Sequence, residues 1–285
     1  MHAAGLVLHP RRDSAAAVAA VLGWAAGRGI EILGIADELE RLDCLAVGVS
    51  PAELGSRADL LVSLGGDGTM LRAMRLADGQ RAPVLGVNLG KLGFLAEVDV
   101  PDLPRALSAI DGHEFTVEPR LAVDARLGER TVTAFNDVAV VRVPGDGSAI
   151  VAVRVNGQQF VSYAADAVVV ATPTGSTAYS FSAGGPITSP SVEALLVTPA
   201  APHSAYSRGV VLSVHDVVAL EVLPSSGRLA VEVDGQVAGY VGPGETIELK
   251  ARPGAARVVR LGMTTFYQRA RRKLRLTDSA EIPPG

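Results

Sequence analysis

One carboxylate stands among glycines in the run Gly65-Gly66-Asp67-Gly68-Thr69. The apolar stretch Ala58 to Leu64 precedes it, and Met70 to Ala77 reads as a helix. A strand that turns on glycines into a helix leaves backbone N–H groups pointing one way. Those donors, with the positive end of the helix, suit phosphate oxygens. Asp67 sits in the middle of that anion site. Negative charge beside phosphates is costly unless it orients a magnesium ion or accepts a proton, so the loop points to phosphoryl transfer. The plain alternative is a glycine-rich turn with no ligand. Neither GxGxxG nor GxxxxGK[ST] occurs there, so a phosphate site must work without a P-loop lysine.

Other polar groups stand at places where ligands are bound. Asn88 ends the buried run Val84 to Asn88, and open α/β sheets bind ligands beyond the carboxyl ends of their strands. An asparagine there is equally suited to hydrogen-bond its own turn. Asn136-Asp137 follows the run Thr131 to Phe135. By itself it reads as a polar corner, although the carboxylate suits sugar hydroxyls. The densest patch starts at Asp166 and runs through the buried stretch Ala167 to Ala171 to Pro190. It carries Thr172, Thr174, Ser176, Thr177, Ser180 and Ser182 between Gly175, Gly184 and Gly185. Hydroxyls and bare amides at this density form a cradle for phosphate, ribose and base edges. Tyr179 and Phe181 are expected to pack on something flat, such as a base. His203 reads as a hydrogen-bonded structural histidine. The run Arg269, Arg271, Arg272, Lys273 and Arg275 reads as a solvated helix face, part of which is able to close over polyphosphate.

The 285 residues fit one large domain or two modest ones, and 48% hydrophobic composition allows a full core. A net charge of −4 argues against nucleic acid as the main partner. Cys44 is the only cysteine, which excludes an internal disulfide and fits a reducing compartment. No run reaches the ~20 apolar residues of a membrane helix, and a cytoplasmic protein with no membrane partner is expected.

Short strands alternate with helices up to about Gly112: Gly5 to His9, a helix to about Gly27 capped by Ser14, Glu31 to Ile35, Leu45 to Val49, Leu60 to Leu64, Val84 to Asn88, and a helix from Pro104 to Ile110. This pattern predicts a parallel sheet covered on both faces. Strand-like runs then follow one another, among them Leu121 to Leu127, Val138 to Val143, Ile150 to Val155, Val217 to Leu223, Leu229 to Val233, Gln236 to Val241 and Thr246 to Leu249, with hairpin signals at Asn156-Gly157 and Asp234-Gly235. The fold expected is an α/β nucleotide-binding domain over residues 1–112 and an all-β, sandwich-like domain over 113–263. A helix from Thr264 to Leu276 returns to the first domain, so that about 264–285 belong to it.

In this order the motifs resemble the NAD kinase family. The matching pieces are GGDGTMLRA (Gly65 to Ala73), GVNLGKLGFL (Gly86 to Leu95), Asn136-Asp137, TPTGSTAYSFSAGGPI (Thr172 to Ile187), TPAAPH (Thr198 to His203) and VDGQ (Val233 to Gln236). The resemblance implies transfer of a phosphoryl group from Mg-ATP, or from polyphosphate, to the 2′-hydroxyl of the adenosine ribose of NAD. It implies a site between the two domains and a homodimer or homotetramer. Asp67 takes the place of the catalytic aspartate. Gly68, Arg72, Asn136, Asp137, Asp166, Thr177, Ala178, Tyr179, Ser182 and Gln236 match dinucleotide-binding positions. The chain departs from the family pattern at Asp137, where Glu is usual, and at Ala164, Ala167 and Gly209. The alternatives are a GGDGT-type kinase with a lipid or nucleoside acceptor, and a non-catalytic dinucleotide sensor.

Overall fold

Runs of Leu, Val and Ala, buried on both sides, build the sheet that carries GGDGT. The structure, a computed structural model, describes residues 1–42, 44–90, 93–203 and 205–276. The chain forms two units, Met1–Glu118 with Ala256–Gly285, and Pro119–Ala255. In the first unit the strands Val84–Asn88, Leu60–Gly65, Ala3–Leu8, Glu31–Ile35 and Val47–Val49 lie in that order, all parallel. The last part of Thr246–Arg260 adds beside Val84–Asn88 through Val258 and Val84. Helices pack in pairs, Ala15–Ala26 with Leu103–Asp111 and Pro51–Arg57 with Asp67–Ala77. The first pair closes a core of Leu6, Leu8, Val62, Leu64, Leu85 and Val87.

The second unit is a sandwich. One sheet runs Val210–Ser213, Ala194–Ala200, Ala167–Ala171, Asp137–Arg142, Leu229–Val233 and Gln236–Val241. The facing sheet includes Gln158–Ala165, Ala149–Val155, Val218–Val222 and the first part of Thr246–Arg260. Strand alternation sends Val138, Val140, Val168, Val170, Val197 and Val231 inward against Val151, Val153, Leu220 and Ile247. The hairpin turns fall at the two expected dipeptides. Asn156 and Gly157 take φ of 50° and 81°, and Asp234 and Gly235 take 48° and 76°. Two positive φ values in succession give a turn whose twist matches that of the strands.

Several expectations shift. Ser14 precedes the first helix but makes no side-chain cap bond; the Asp13 carboxylate accepts from the Ala15 N–H instead. Pro104 is the second residue of its helix, behind a 3-10 turn at Val100–Asp102. Ala194–Ala200 and Val210–Ser213 are strands that the sequence reading passed over. Pro199 sits inside the first of them, and proline argues against a strand when read locally. Thr246–Arg260 also runs through Pro253-Gly254 rather than stopping at Leu249.

The terminal helix is Phe266–Leu274, and it belongs to the first unit as expected. The chain after Leu276 lies outside the described residues. The helix face expected to be solvated is only partly so: Arg269 is 2% exposed. Among the described residues no helix is long and apolar enough to cross a membrane.

Candidate functional site

Asp67 is the first residue of a helix rather than the middle of a loop. The helix is Asp67–Ala77 and Gly66 is its N-cap in extended conformation, φ −118° and ψ −162°. A carboxylate in the first turn meets the positive helix end favourably. Its Oδ2 accepts from the Phe94 N–H at 3.1 Å and from the Lys273 ammonium at 3.1 Å. Its Oδ1 accepts from the Leu95 N–H at 3.0 Å. Gly93 makes this possible: a Cβ there would lie 2.2 Å from Asp67 Oδ1. Gly65 ends the strand for a similar reason, since a Cβ would fall 2.1 Å from Thr69 Oγ1. That hydroxyl is buried and has no partner among the described residues. Gly68 lies in the first turn of the helix, with open space where a Cβ would stand.

Arg72 is engaged by neighbouring groups. It donates to the Leu8 carbonyl at 2.6 Å and pairs with Glu38 at 2.7 Å. Asn88 lies opposite Gly65 in the neighbouring strand and is 3% exposed. Its amide donates to Asp99 at 3.3 Å rather than to its own turn. Its Oδ1 is buried without a donor among the described residues. Asn88 and Asp99 line a cleft of about 350 Å³ with Asp13, Gly90 and Pro101. Lys91 and Leu92 of the GVNLGKLGFL motif lie outside the described residues.

In the second unit, Asn136 and Asp137 are held from two sides. The Asp234 carboxylate accepts from the N–H groups of Phe135, Asn136 and Asp137 at 2.7 to 3.3 Å. The Asn136 carbonyl accepts from the Thr172 N–H at 2.8 Å, and Thr172 Oγ1 donates to the Phe135 carbonyl at 2.6 Å. Gly175 packs so closely that a Cβ would sit 2.0 Å from the Asn136 oxygen. Asp234, read from the sequence as a turn residue within VDGQ, thus ties three successive backbone N–H groups at this corner.

Asp137 opens the strand Asp137–Arg142 and is 3% exposed, not a polar corner. Burial, then the Asp234 and Glu232 charges, push its carboxyl up to about 7, against one bond from the Tyr179 N–H. Tyr179 packs on the outer face of the sheet, against Ala139, Val169, Ala171 and Leu196. Burial raises its phenol, with Glu232, Asp166 and Asp137 adding to it. The Thr172-to-Ser182 stretch folds as a 3-10 turn, Thr174–Thr177, then Ala178 and the short helix Tyr179–Ser182. Several of its hydroxyls are spent internally: Ser176 donates to the Pro173 carbonyl, and Ser180 bonds Thr198. Thr177 and Ser182 make only long bonds, 3.4 and 3.5 Å.

Asp166 is half-exposed and pairs with Arg142 at 2.5 Å. Gln236 begins its strand and is exposed. His203 is exposed, and its ring has no bond among the described residues, so it is not a buried structural histidine. Among the described residues no group of three His, Cys, Asp or Glu side chains converges as a metal cage.

Comparison with known proteins shows the family. The family profile of the ATP-NAD kinase N-terminal domain matches residues 46–115, and that of the C-terminal domain matches residues 135–261. NAD kinase 1 of Streptomyces avermitilis is 39% identical, over 96% of this chain and 87% of its own length. Yeast NADH kinase, solved with NADH, superimposes with a TM-score of 0.84 at 22% identity, covering 100% of this chain and 90% of that one. The NAD kinase of Archaeoglobus fulgidus, solved with ATP, gives 0.74 at 24% identity, covering 96% and 99%. This chain is a phosphotransferase. It belongs to the NAD kinase family.

Proposed function

We propose that the chain transfers the terminal phosphoryl group of ATP to the 2′-hydroxyl of the adenosine ribose of NAD, giving NADP. The observation that carries this reading is Asp67. It is a single carboxylate at a helix N-terminus, its orientation fixed by two backbone N–H groups and a lysine. In the proposed step the ribose oxygen bonds to the γ-phosphorus while the bond from that phosphorus to the bridging oxygen of ADP breaks. The ribose proton passes to Asp67. A carboxylate is too weak a base to ionise a sugar hydroxyl beforehand. A loose transition state needs no such ionisation, so the proton leaves late while Asp67 holds the hydroxyl in line.

Gly65, Gly66, Gly68 and Thr69 supply the open backbone around the donor phosphates. The unpartnered Asn88 Oδ1 is free to accept from a ligand. The dinucleotide falls to Asn136, Asp137, Asp166, Thr177, Ala178, Tyr179, Ser182 and Gln236, while Arg72 is held by the Leu8 carbonyl and Glu38. The donor set suits a magnesium ion that arrives with the nucleotide. Such ions keep their waters and take one or two carboxylates plus substrate phosphates; the one acceptor position left on Asp67 is the one the ribose hydroxyl uses, so the ion would be held by the donor phosphates and its waters. The ion, when bound, neutralises charge on the donor phosphates. The reading also includes a cytoplasmic homodimer or homotetramer.

The test incubates pure protein with magnesium, ATP and NAD, and measures NADP with an NADP-specific dehydrogenase. NADP formation that depends on all three supports the reading; its absence with folded protein overturns it. Replacing ATP by polyphosphate identifies the donor.

A further inference from the structure

Lys273 lies 206 residues from Asp67 in the chain, yet its ammonium reaches the Asp67 carboxylate at 3.1 Å. Three independent features put it there. A capping box, Thr265 with Gln268, fixes the start of the helix Phe266–Leu274. Arg269, one turn before Lys273, is buried and donates to the Phe94 carbonyl at 3.1 Å and to the Thr264 carbonyl at 2.6 Å. The Lys273 ammonium also sits 4.5 Å from the centre of the Phe94 ring. Residue 94 is therefore gripped at three points: its N–H by Asp67, its carbonyl by Arg269 and its ring by Lys273. Positions four apart face the same way on a helix, so Arg269 and Lys273 address the same segment.

The carboxylate does not require this cation to be stable. It already has two backbone donors and a helix N-terminus. An exposed ion pair contributes little to folding. What the lysine changes is charge and aim. A lone carboxylate repels incoming donor phosphates; a carboxylate paired with an ammonium does not. The chain also lacks a P-loop lysine that would offset that repulsion from the other side.

We propose that Lys273 is the positioning residue of Asp67, holding its carboxylate toward the acceptor hydroxyl and cancelling its charge against the donor polyphosphate. This rests on the reading of Asp67 given above.

The test uses the full chain with the variants Lys273→Met, Lys273→Arg, Asp67→Asn and the double variant, each checked for an unchanged melting temperature. Lys273→Met should lower kcat about 10- to 100-fold, the scale of a misplaced catalytic group. It should raise KM for ATP several-fold and leave KM for NAD unchanged. Lys273→Arg should recover most of the rate. The double variant should be no slower than Asp67→Asn alone, because residues that act through one another do not add. Wild-type rates in Lys273→Met, equal effects on both KM values, no recovery with arginine, or multiplied losses in the double variant would overturn the inference. Full activity in Asp67→Asn would instead sink the assignment of the base, and that result is read independently.

Discussion

Two carboxylates in this molecule live under opposite conditions. Asp67 is part-exposed, at a helix N-terminus, with a cation beside it. Asp137 is buried, with the Asp234 and Glu232 charges against it, and its carboxyl stands at about 7. The folded protein therefore keeps a proton on Asp137 at pH values where the unfolded chain, near 3.8, has released it. Between those values the native state binds the extra proton, so stability falls as pH rises from about 4 to about 7 and then levels off. Asp137→Asn should remove that component. Denaturant titrations of both proteins across this range, subtracted from one another, should show the variant gaining stability with pH, on the order of a few kcal/mol by pH 8. A flat difference would contradict the burial argument. The same group should tighten its hold on dinucleotide donors as it ionises, so NAD affinity should rise through neutral pH.

At the scale of elements, the glycines that matter are those against which other backbone is pressed. Gly175 approaches the Asn136 carbonyl, and the segment from Thr172 is tied to the segment at Asn136 by two further bonds. Gly175→Ala must push that carbonyl away. It should cost about 1–3 kcal/mol in stability, the scale of overpacking. It should also weaken NAD binding more than it changes KM for ATP. Urea denaturation and the two KM values check this, and an alanine variant with normal stability and NAD affinity would refute it.

Much of the arrangement was legible beforehand. Glu31–Ile35, Val84–Asn88, Ala167–Ala171, Leu229–Val233 and Gln236–Val241 carry their bounds in plain apolar runs between turn residues. Both hairpin dipeptides name their own turns. The strand Ala194–Ala200 was hidden because Pro199 reads locally as a breaker, although its pairing with Val168 leaves it in register. Arg269 looked like one of several surface arginines. Burial of a guanidinium depends on carbonyls contributed by Phe94 and Thr264, and no local pattern announces a partner 175 residues away. The contacts of Lys273 and Asp234 were hidden for the same reason: each reaches a segment far away in the sequence.

At the scale of the molecule, a chain of net charge −4 handles two anionic nucleotides. Bulk attraction does not gather them, so local devices must. On the proposed reading these are, in the first unit, a helix N-terminus, an open glycine turn and a lysine-paired aspartate. In the second they are a hydroxyl-bearing turn and a buried acidic residue beside Asn136. The proposed function turns on one proton transfer, to Asp67. The direct test is single-turnover kinetics with Mg-ATP and NAD on wild type and Asp67→Asn, alongside the NAD dissociation constant and melting temperature of each. The account predicts a loss in the phosphoryl-transfer rate of at least about 100-fold, the scale of a missing general base, with NAD affinity and stability kept. A folded Asp67→Asn protein that makes NADP at the wild-type rate would contradict it.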